Sequence, residues 1–198
     1  MLFDGIAKVR NLNYLRDLNT MNNYEITPAR MSDIKEIMAV ELSGFAAGIV
    51  EREEVFLERI DVFPDGFLLV KNLARGKIIG YICSEIWHRR DPVQKNMFTL
   101  NHGIRGLHDS NGDEIYISSM SILPAYRSKG IGSLLFNSCI DRLVEAHPNL
   151  RSTILIVNET WTHARKIYLR AGFEELFSID GFFTPINEAP QAAIVMRR

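Results

Sequence analysis

The run Arg127-Ser128-Lys129-Gly130-Ile131-Gly132 stands between a β-rich stretch, Ile115 to Ile122, and a helical stretch that begins near Ile131. A strand that passes into a helix through two glycines commits this part of the chain to an α/β arrangement. Glycine has no Cβ, so the backbone here can approach a ligand closely. The first N–H groups of a helix have no intrahelical partner and the helix start carries a partial positive charge, which makes the junction an anion site suited to a diphosphate. A plain tight turn is the alternative. A dinucleotide fingerprint would need a third glycine where Leu135 stands. A nucleoside triphosphate loop would need Gly-Lys-Ser/Thr, whereas Lys129 precedes its glycine.

The wider stretch Met120-Ser-Ile-Leu-Pro-Ala-Tyr-Arg-Ser-Lys-Gly-Ile-Gly-Ser-Leu-Leu135 resembles the coenzyme A pyrophosphate loop of the GCN5-related N-acetyltransferases, the GNAT family. A second ordered match follows in Ala164-Arg-Lys-Ile-Tyr168-Leu-Arg-Ala-Gly172-Phe173, and Thr27-Pro-Ala-Arg-Met-Ser-Asp-Ile34 adds the opening, so the resemblance runs over residues 24 to 198. It implies an α/β fold with a mixed, mostly antiparallel central sheet of roughly six or seven strands and helices on both faces. It also implies acetyl-CoA as cosubstrate. By resemblance Met120, Ser121 and Ile122 would hold the pantetheine arm, while Arg127, Ser128, Lys129, Gly130, Ile131, Gly132 and Ser133 would hold the pyrophosphate.

A length of 198 residues suits one well-cored domain, here residues 24–198, preceded by an appended segment 1–23. Hydrophobic content of 46% and charged content of 24% are those of an ordinary globular protein. A net charge of -1 gives no broad field for nucleic acid or an anionic membrane, so anion binding is expected to be local, at Arg127 and Lys129. Cys83 and Cys139 fall in a predicted strand and a predicted helix and are expected as free core thiols. The five histidines show no metal-ligand spacing, and no metal is expected. Asp4, Lys8 and Arg10 interrupt the first apolar residues, and no apolar run reaches about 18 residues, so neither a signal peptide nor a membrane span is expected. The chain reads as cytoplasmic.

Leu2, Phe3, Ile6, Val9, Leu12, Leu15 and Leu18 recur at near-helical spacing and predict an amphipathic helix that packs on the domain or on a second copy, giving a homodimer. A strand is expected near Glu25 to Pro28, then a helix capped by Ser32 with Ile34, Ile37, Met38, Leu42 and Phe45 on one side. A second helix carries Val55, Phe56, Arg59, Ile60 and Phe63 and ends at Pro64-Asp-Gly66. Phe67 to Val70 and Lys77 to Trp87 read as a hairpin turning near Arg75-Gly76. Residues 88 to 112, with Pro92, Gly103, Gly106 and Asn111-Gly112, read as a long excursion, a kind of segment often functional. Beyond come a strand from Glu114 to Ile122, a helix through Leu143, a strand from Arg151 to Val157, a helix from Thr162 to Ala171 and a closing strand pair.

Acyl transfer from a thioester to an amine needs a docked cosubstrate, a neutral amine and a proton for the departing thiolate. Tyr168 occupies the place of the family's acid tyrosine, and a phenol with pKa about 10 suits that role; the other reading is a core residue. An alkyl ammonium with pKa about 10.4 must be deprotonated. Glu114 shares a strand face with Tyr116 and Ser118 and is the first candidate base, against the reading of a solvated strand-end carboxylate. His108 and Glu85 are the further candidates. Trp161 stands where the family often has asparagine, with Asn158 nearby. Phe63 to Val70 and Ile79 to Trp87 echo the arylalkylamine acetyltransferase branch, although Tyr116 and Ser118 replace its histidine pair. The expected acceptor is a small primary amine, walled by Trp87, Met97 and Phe98. A non-catalytic acyl-CoA sensor and a protein lysine or N-terminal acetyltransferase are the competing readings.

Overall fold

The computed structural model describes residues 23–198; the helix expected before Leu18 lies outside them. Strand β1 (Tyr24–Pro28) leads through a 3-10 turn (Met31–Asp33) into α1 (Ile34–Gly44), followed by α2 (Glu53–Val62). Ser32 sits inside that turn rather than capping α1. The cap contact is instead the Arg30 N–H donating to Asp33 Oδ2 at 2.9 Å. Next come β2 (Phe67–Asn72), β3 (Lys77–Trp87), β4 (Glu114–Ile122), α3 (Ile131–Ala146), β5 (Ser152–Asn158), α4 (Thr162–Arg170), β6 (Glu174–Phe183) and β7 (Gln191–Arg197). Among the described residues the strands form one seven-stranded sheet in the order β1-β2-β3-β4-β5-β7-β6.

Period-two alternation distributes the strand side chains between two cores. Phe67, Leu69, Tyr81 and Cys83 face α1 and α2, where they meet Ile37, Val40, Phe56 and Ile60. Leu68, Val70, Ile82, Ile86, Ile117 and Leu155 face α3, whose Ile131, Leu135, Phe136, Cys139 and Leu143 form its buried stripe. Ten of the eleven residues of β3 are buried because this central strand is covered on both sides, which is why its sequence reads as a nearly continuous apolar run.

Two irregularities in the sheet position the site. Cys83 of β3 pairs with Ser119, while the next residue, Ser84, pairs with Ile117, so Ser118 bulges out of the ladder. The parallel pairing of β4 with β5 runs from Glu114↔Ser152 only to Ile117↔Leu155. Beyond it β5 continues against β7 through Asn158↔Ala193, and β4 continues against β3. The two central strands therefore part at the bulge. A gap opens between Ser118–Ile122 on one side and Ile156–Asn158 on the other, and its floor leads toward the start of α3.

Candidate active site

The glycine junction closes one end of the gap. Gly130 takes a left-handed conformation, φ 81, as the residue before α3, and Ser128 is also left-handed at φ 60. The first helical bond runs from the Leu134 N–H to the Gly130 carbonyl at 3.0 Å. Among the described residues, no group accepts from the backbone N–H groups of Ser128 through Ser133. These orphaned donors converge at a helix N-terminus, as a diphosphate cradle requires. A Cβ on Gly132 would lie 3.4 Å from Met120 Cε and 3.8 Å from Ile122 Cγ1, so this glycine faces the free edge of β4. Arg127 is exposed and its Nε donates to the Ile122 carbonyl at 2.8 Å. Lys129 folds back, donating to the Ala125 carbonyl at 2.9 Å with its ammonium 5.3 Å from the Tyr126 ring centre. Ile131 is buried in the α3 core, and Ser133 is exposed on the first turn.

Ser121 is 5% exposed, and among the described residues its hydroxyl has no hydrogen-bond partner. It lies directly beneath Gly44 at the end of α1, where a Cβ would fall 2.0 Å from Ser121 Oγ. The absence of a side chain at Gly44 lets α1 press onto β4, and that contact brings Glu41 over the bulge. Glu41, Tyr81 and Ser119 form a buried chain: the Tyr81 hydroxyl donates to Glu41 Oε2 and lies 2.9 Å from Ser119 Oγ. Because the single Tyr81 proton is committed to Glu41, Ser119 donates to Tyr81, and both hydroxyls point their protons toward the carboxylate. Burial raises the pKa of Glu41 to about 7, against the lowering effect of the Tyr81 and Glu51 hydrogen bonds. Burial and the neighbouring Glu41 hold the Tyr81 phenol well above its ordinary range, so it stays protonated.

The residues expected to act as base from sequence are brought together only in part. Glu114 lies four residues before the bulge, about 13 Å along the strand. It is fully buried, accepts from Ser152 Oγ at 2.8 Å and pairs with Arg197 Nε at 2.8 Å, an ion pair that ties β4 to β7. His108 Nδ1 accepts the Ile86 N–H at 3.1 Å, its ring packs 4.1 Å from Phe63, and burial lowers its pKa. Glu85 is fully buried beside the chain, taking the Trp87 indole N–H at 2.9 Å and His102 Nε2 at 2.6 Å. His102 Nδ1 meets the Thr99 carbonyl at 2.8 Å. Both ring nitrogens face acceptors, an arrangement that favours the imidazolium; burial opposes the charge, and the Glu85 hydrogen bond and charge, with the Thr99 carbonyl, together outweigh it and raise the pKa.

Tyr168 is half-buried on α4, its ring 5.8 Å from Phe136 of α3 and 5.7 Å from Phe173. No described group accepts from its hydroxyl, and burial raises its pKa to about 12. Trp161, just before α4, packs between Phe45 and Phe183, with ring centres at 5.2 and 5.5 Å, in an apolar cluster with Ile49, Leu100 and Ile156. Asn158 turns its amide away to Gln191 at 2.6 Å and uses its carbonyl to start α4 through Thr160. The excursion does reach the site, but through Asn101 and His102. Trp87 and Phe98 are core residues around Tyr116, with Trp87 stacked 4.0 Å from that ring. Two open concavities of about 640 and 670 Å³, lined by His88, Asn111 and their neighbours, lie near the start of β4 and away from the glycine junction. Among the described residues no cluster of His, Cys, Asp or Glu is placed to hold a metal ion.

Sequence comparison matches residues 33–173 to the acetyltransferase (GNAT) family. The chain belongs to this family. A curated relative, the uncharacterized N-acetyltransferase YkwB of Bacillus subtilis (strain 168), is 26% identical over 132 residues, 64% of this chain and 55% of that protein. The chain thus spans about half the length of this relative. Among solved structures, the GphF GNAT-like decarboxylase in complex with isobutyryl-CoA superposes with a TM-score of 0.70 at 18% identity, covering 88% of this chain and 98% of that one. The ribosomal-protein-S18-alanine N-acetyltransferase of Escherichia coli gives 0.62 at 16% identity, covering 88% and 92%. These likenesses establish the GNAT fold; they span proteins of different activities.

No helix among the described residues is long and apolar enough to cross a membrane. Sequence reasoning missed Glu41, Tyr81 and Ser119. A signal for the first was present, since Glu41 follows Ile34 by seven residues and Ile37 by four, placing a carboxylate on the apolar stripe of its helix.

Proposed function

We propose that residues 24–198 transfer an acetyl group from acetyl-CoA to a small primary amine with an apolar or aromatic body, in the cytoplasm. The observation that carries this reading is the juxtaposition of the orphaned N–H groups at the start of α3 with the buried Glu41–Tyr81–Ser119 chain at the mouth of the same gap. The N–H groups bind the pyrophosphate, and the free edge of β4 guides the pantetheine arm toward the bulge. Ser119 Oγ accepts a hydrogen bond from the amine. As the amine attacks, its proton passes to Ser119, the Ser119 proton to Tyr81 and the Tyr81 proton to Glu41, so each hydroxyl ends as it began. Tyr168 gives its proton to the departing thiolate. The Phe45–Trp161–Phe183 cluster receives the apolar part of the amine. Free, buried Cys83 and Cys139 fit a reducing compartment.

Thiol release from acetyl-CoA with a panel of aryl-alkyl amines, aliphatic amines and unstructured lysine peptides tests the reading. Small amines are expected to react fastest, and Tyr168→Phe to lower kcat by about 100-fold or more with little change in acetyl-CoA affinity. Faster reaction of peptides would make the acceptor a protein. Binding of acetyl-CoA without thiol release in any amine would leave a sensor.

A further inference from the structure

Glu51 and Arg59 are buried beside Glu41, at 5% and 1% exposure. The Arg59 guanidinium grips Glu51 with both terminal nitrogens, at 2.6 and 2.9 Å, and its Nε lies 3.7 Å from Glu85. Glu51 in turn donates its backbone N–H to Glu41 Oε1 at 2.9 Å. The same glutamate therefore aims Glu41 with its main chain and is itself fixed by Arg59 through its side chain. Asn101 of the excursion completes the grip, donating its N–H to Glu51 Oε1 at 3.0 Å and accepting from the Arg52 N–H at 2.8 Å.

Charge accounting in this enclosure singles out one residue. Glu51 is paired with Arg59, and Glu85 with His102 at 2.6 Å and with Arg59 Nε at 3.7 Å. Among the described residues no ion pair reaches Glu41, whose contacts are the Tyr81 hydroxyl and the Glu51 N–H. The other titratable or charged groups nearby are Cys83, whose thiol burial pushes up to about 12, and Arg127 of the loop before α3, whose guanidinium approaches Gly44 at the end of the helix that carries Glu41.

We propose that Glu51 and Arg59 are positioning residues: a buried ion pair that aims Glu41 and sets the pH at which it takes up a proton. The proposal rests on Glu41 being the terminal proton acceptor. The two members act in opposite senses. The arginine charge favours ionised Glu41 and the Glu51 charge disfavours it. A pair that only braced the fold would not shift the Glu41 titration in opposite directions when each charge is removed.

Protein labelled with carboxyl-13C glutamate gives the test without any acceptor, since the resonance lost in Glu41→Gln is that of Glu41. Its midpoint is expected near 7. Glu51→Gln, which keeps shape and backbone N–H, is expected to lower it by roughly one unit, and Arg59→Met to raise it by a similar amount. Removing one partner of a buried pair is strongly destabilising. Circular dichroism therefore accompanies each titration, and Glu51→Gln decides the matter if Arg59→Met does not fold. An unmoved midpoint in folded Glu51→Gln overturns the positioning role while leaving Glu41 as acceptor. A wild-type midpoint in the ordinary carboxylate range overturns the acceptor reading and the proposal with it.

Discussion

Tyr81 and Ser119 are diagonal neighbours on one face of the sheet. Tyr81 pairs directly with Ser121 and Ser119 with Cys83, yet the Tyr81 hydroxyl reaches back to Ser119 at 2.9 Å. Diagonal neighbours stand about 7–8 Å apart, a span that a tyrosine can cross. The bulge at Ser118 sets this geometry, because it shifts the phase of β4 just where β5 departs. One irregularity thus opens the gap and points a hydroxyl from its rim into a buried proton chain.

The first prediction is a pH profile. A base works when deprotonated, so kcat/KM should rise with pH through a midpoint of about 7 and level off above it. Glu41→Gln should lower kcat/KM by roughly 100- to 10,000-fold and remove that rise. A profile that keeps its midpoint in Glu41→Gln would hand the proton to another group.

Much of the fold was legible because apolar periodicity and turn residues act locally: the helices at Ile131 and Thr162 and the strand at Glu114 fall within a residue or two of expectation. The glycine junction was legible for the same reason, being contiguous in sequence. The proton chain was not. Glu41, Tyr81 and Ser119 lie 40 and 38 residues apart along the chain, and only the register of β3 on β4 and the close approach of Gly44 to Ser121 unite them. Glu114 looked available because alternation put it on a face with Ser118. The bulge at Ser118 itself, and the distant Arg197, were invisible to alternation.

Gly132→Val should weaken acetyl-CoA binding by at least about tenfold, near 1.4 kcal/mol, by placing branched carbons where the cosubstrate meets the free edge of β4. The protein itself has room for the first carbon, at 3.4 Å from Met120 Cε, so the fold should survive. Calorimetry on the folded variant that returned wild-type affinity would remove the cradle from this junction.

His102 contributes stability in a definite pH window. Its folded pKa is raised above 6.5, so its share is complete below that value and fades as pH climbs through the raised one. His102→Gln should therefore cost more stability in urea melts at about pH 6 than at about pH 9. Equal losses at both would mean that the ring is held neutral and that the excursion is anchored by Asn101 and packing instead.

Glu41 should carry a pH-dependent penalty of its own. Its folded pKa is about 7 against an unfolded value of 4.5, so between those limits the folded state holds a proton that the unfolded state has released. Stability must then fall as pH rises through this window, the reverse of an ordinary salt-bridged carboxylate, by roughly 3 kcal/mol at most for a shift of this size. Glutamine cannot ionise, so Glu41→Gln should match the wild type near pH 4.5 and exceed it near pH 8, measured by urea unfolding at each pH. The enzyme would be holding an acceptor carboxylate in a place that destabilises it, and the glutamine variant should be the sturdier and the less active protein. A variant with no stability advantage at high pH would show that Glu41 ionises freely in the fold, and would deprive the Tyr81–Ser119 chain of its terminus.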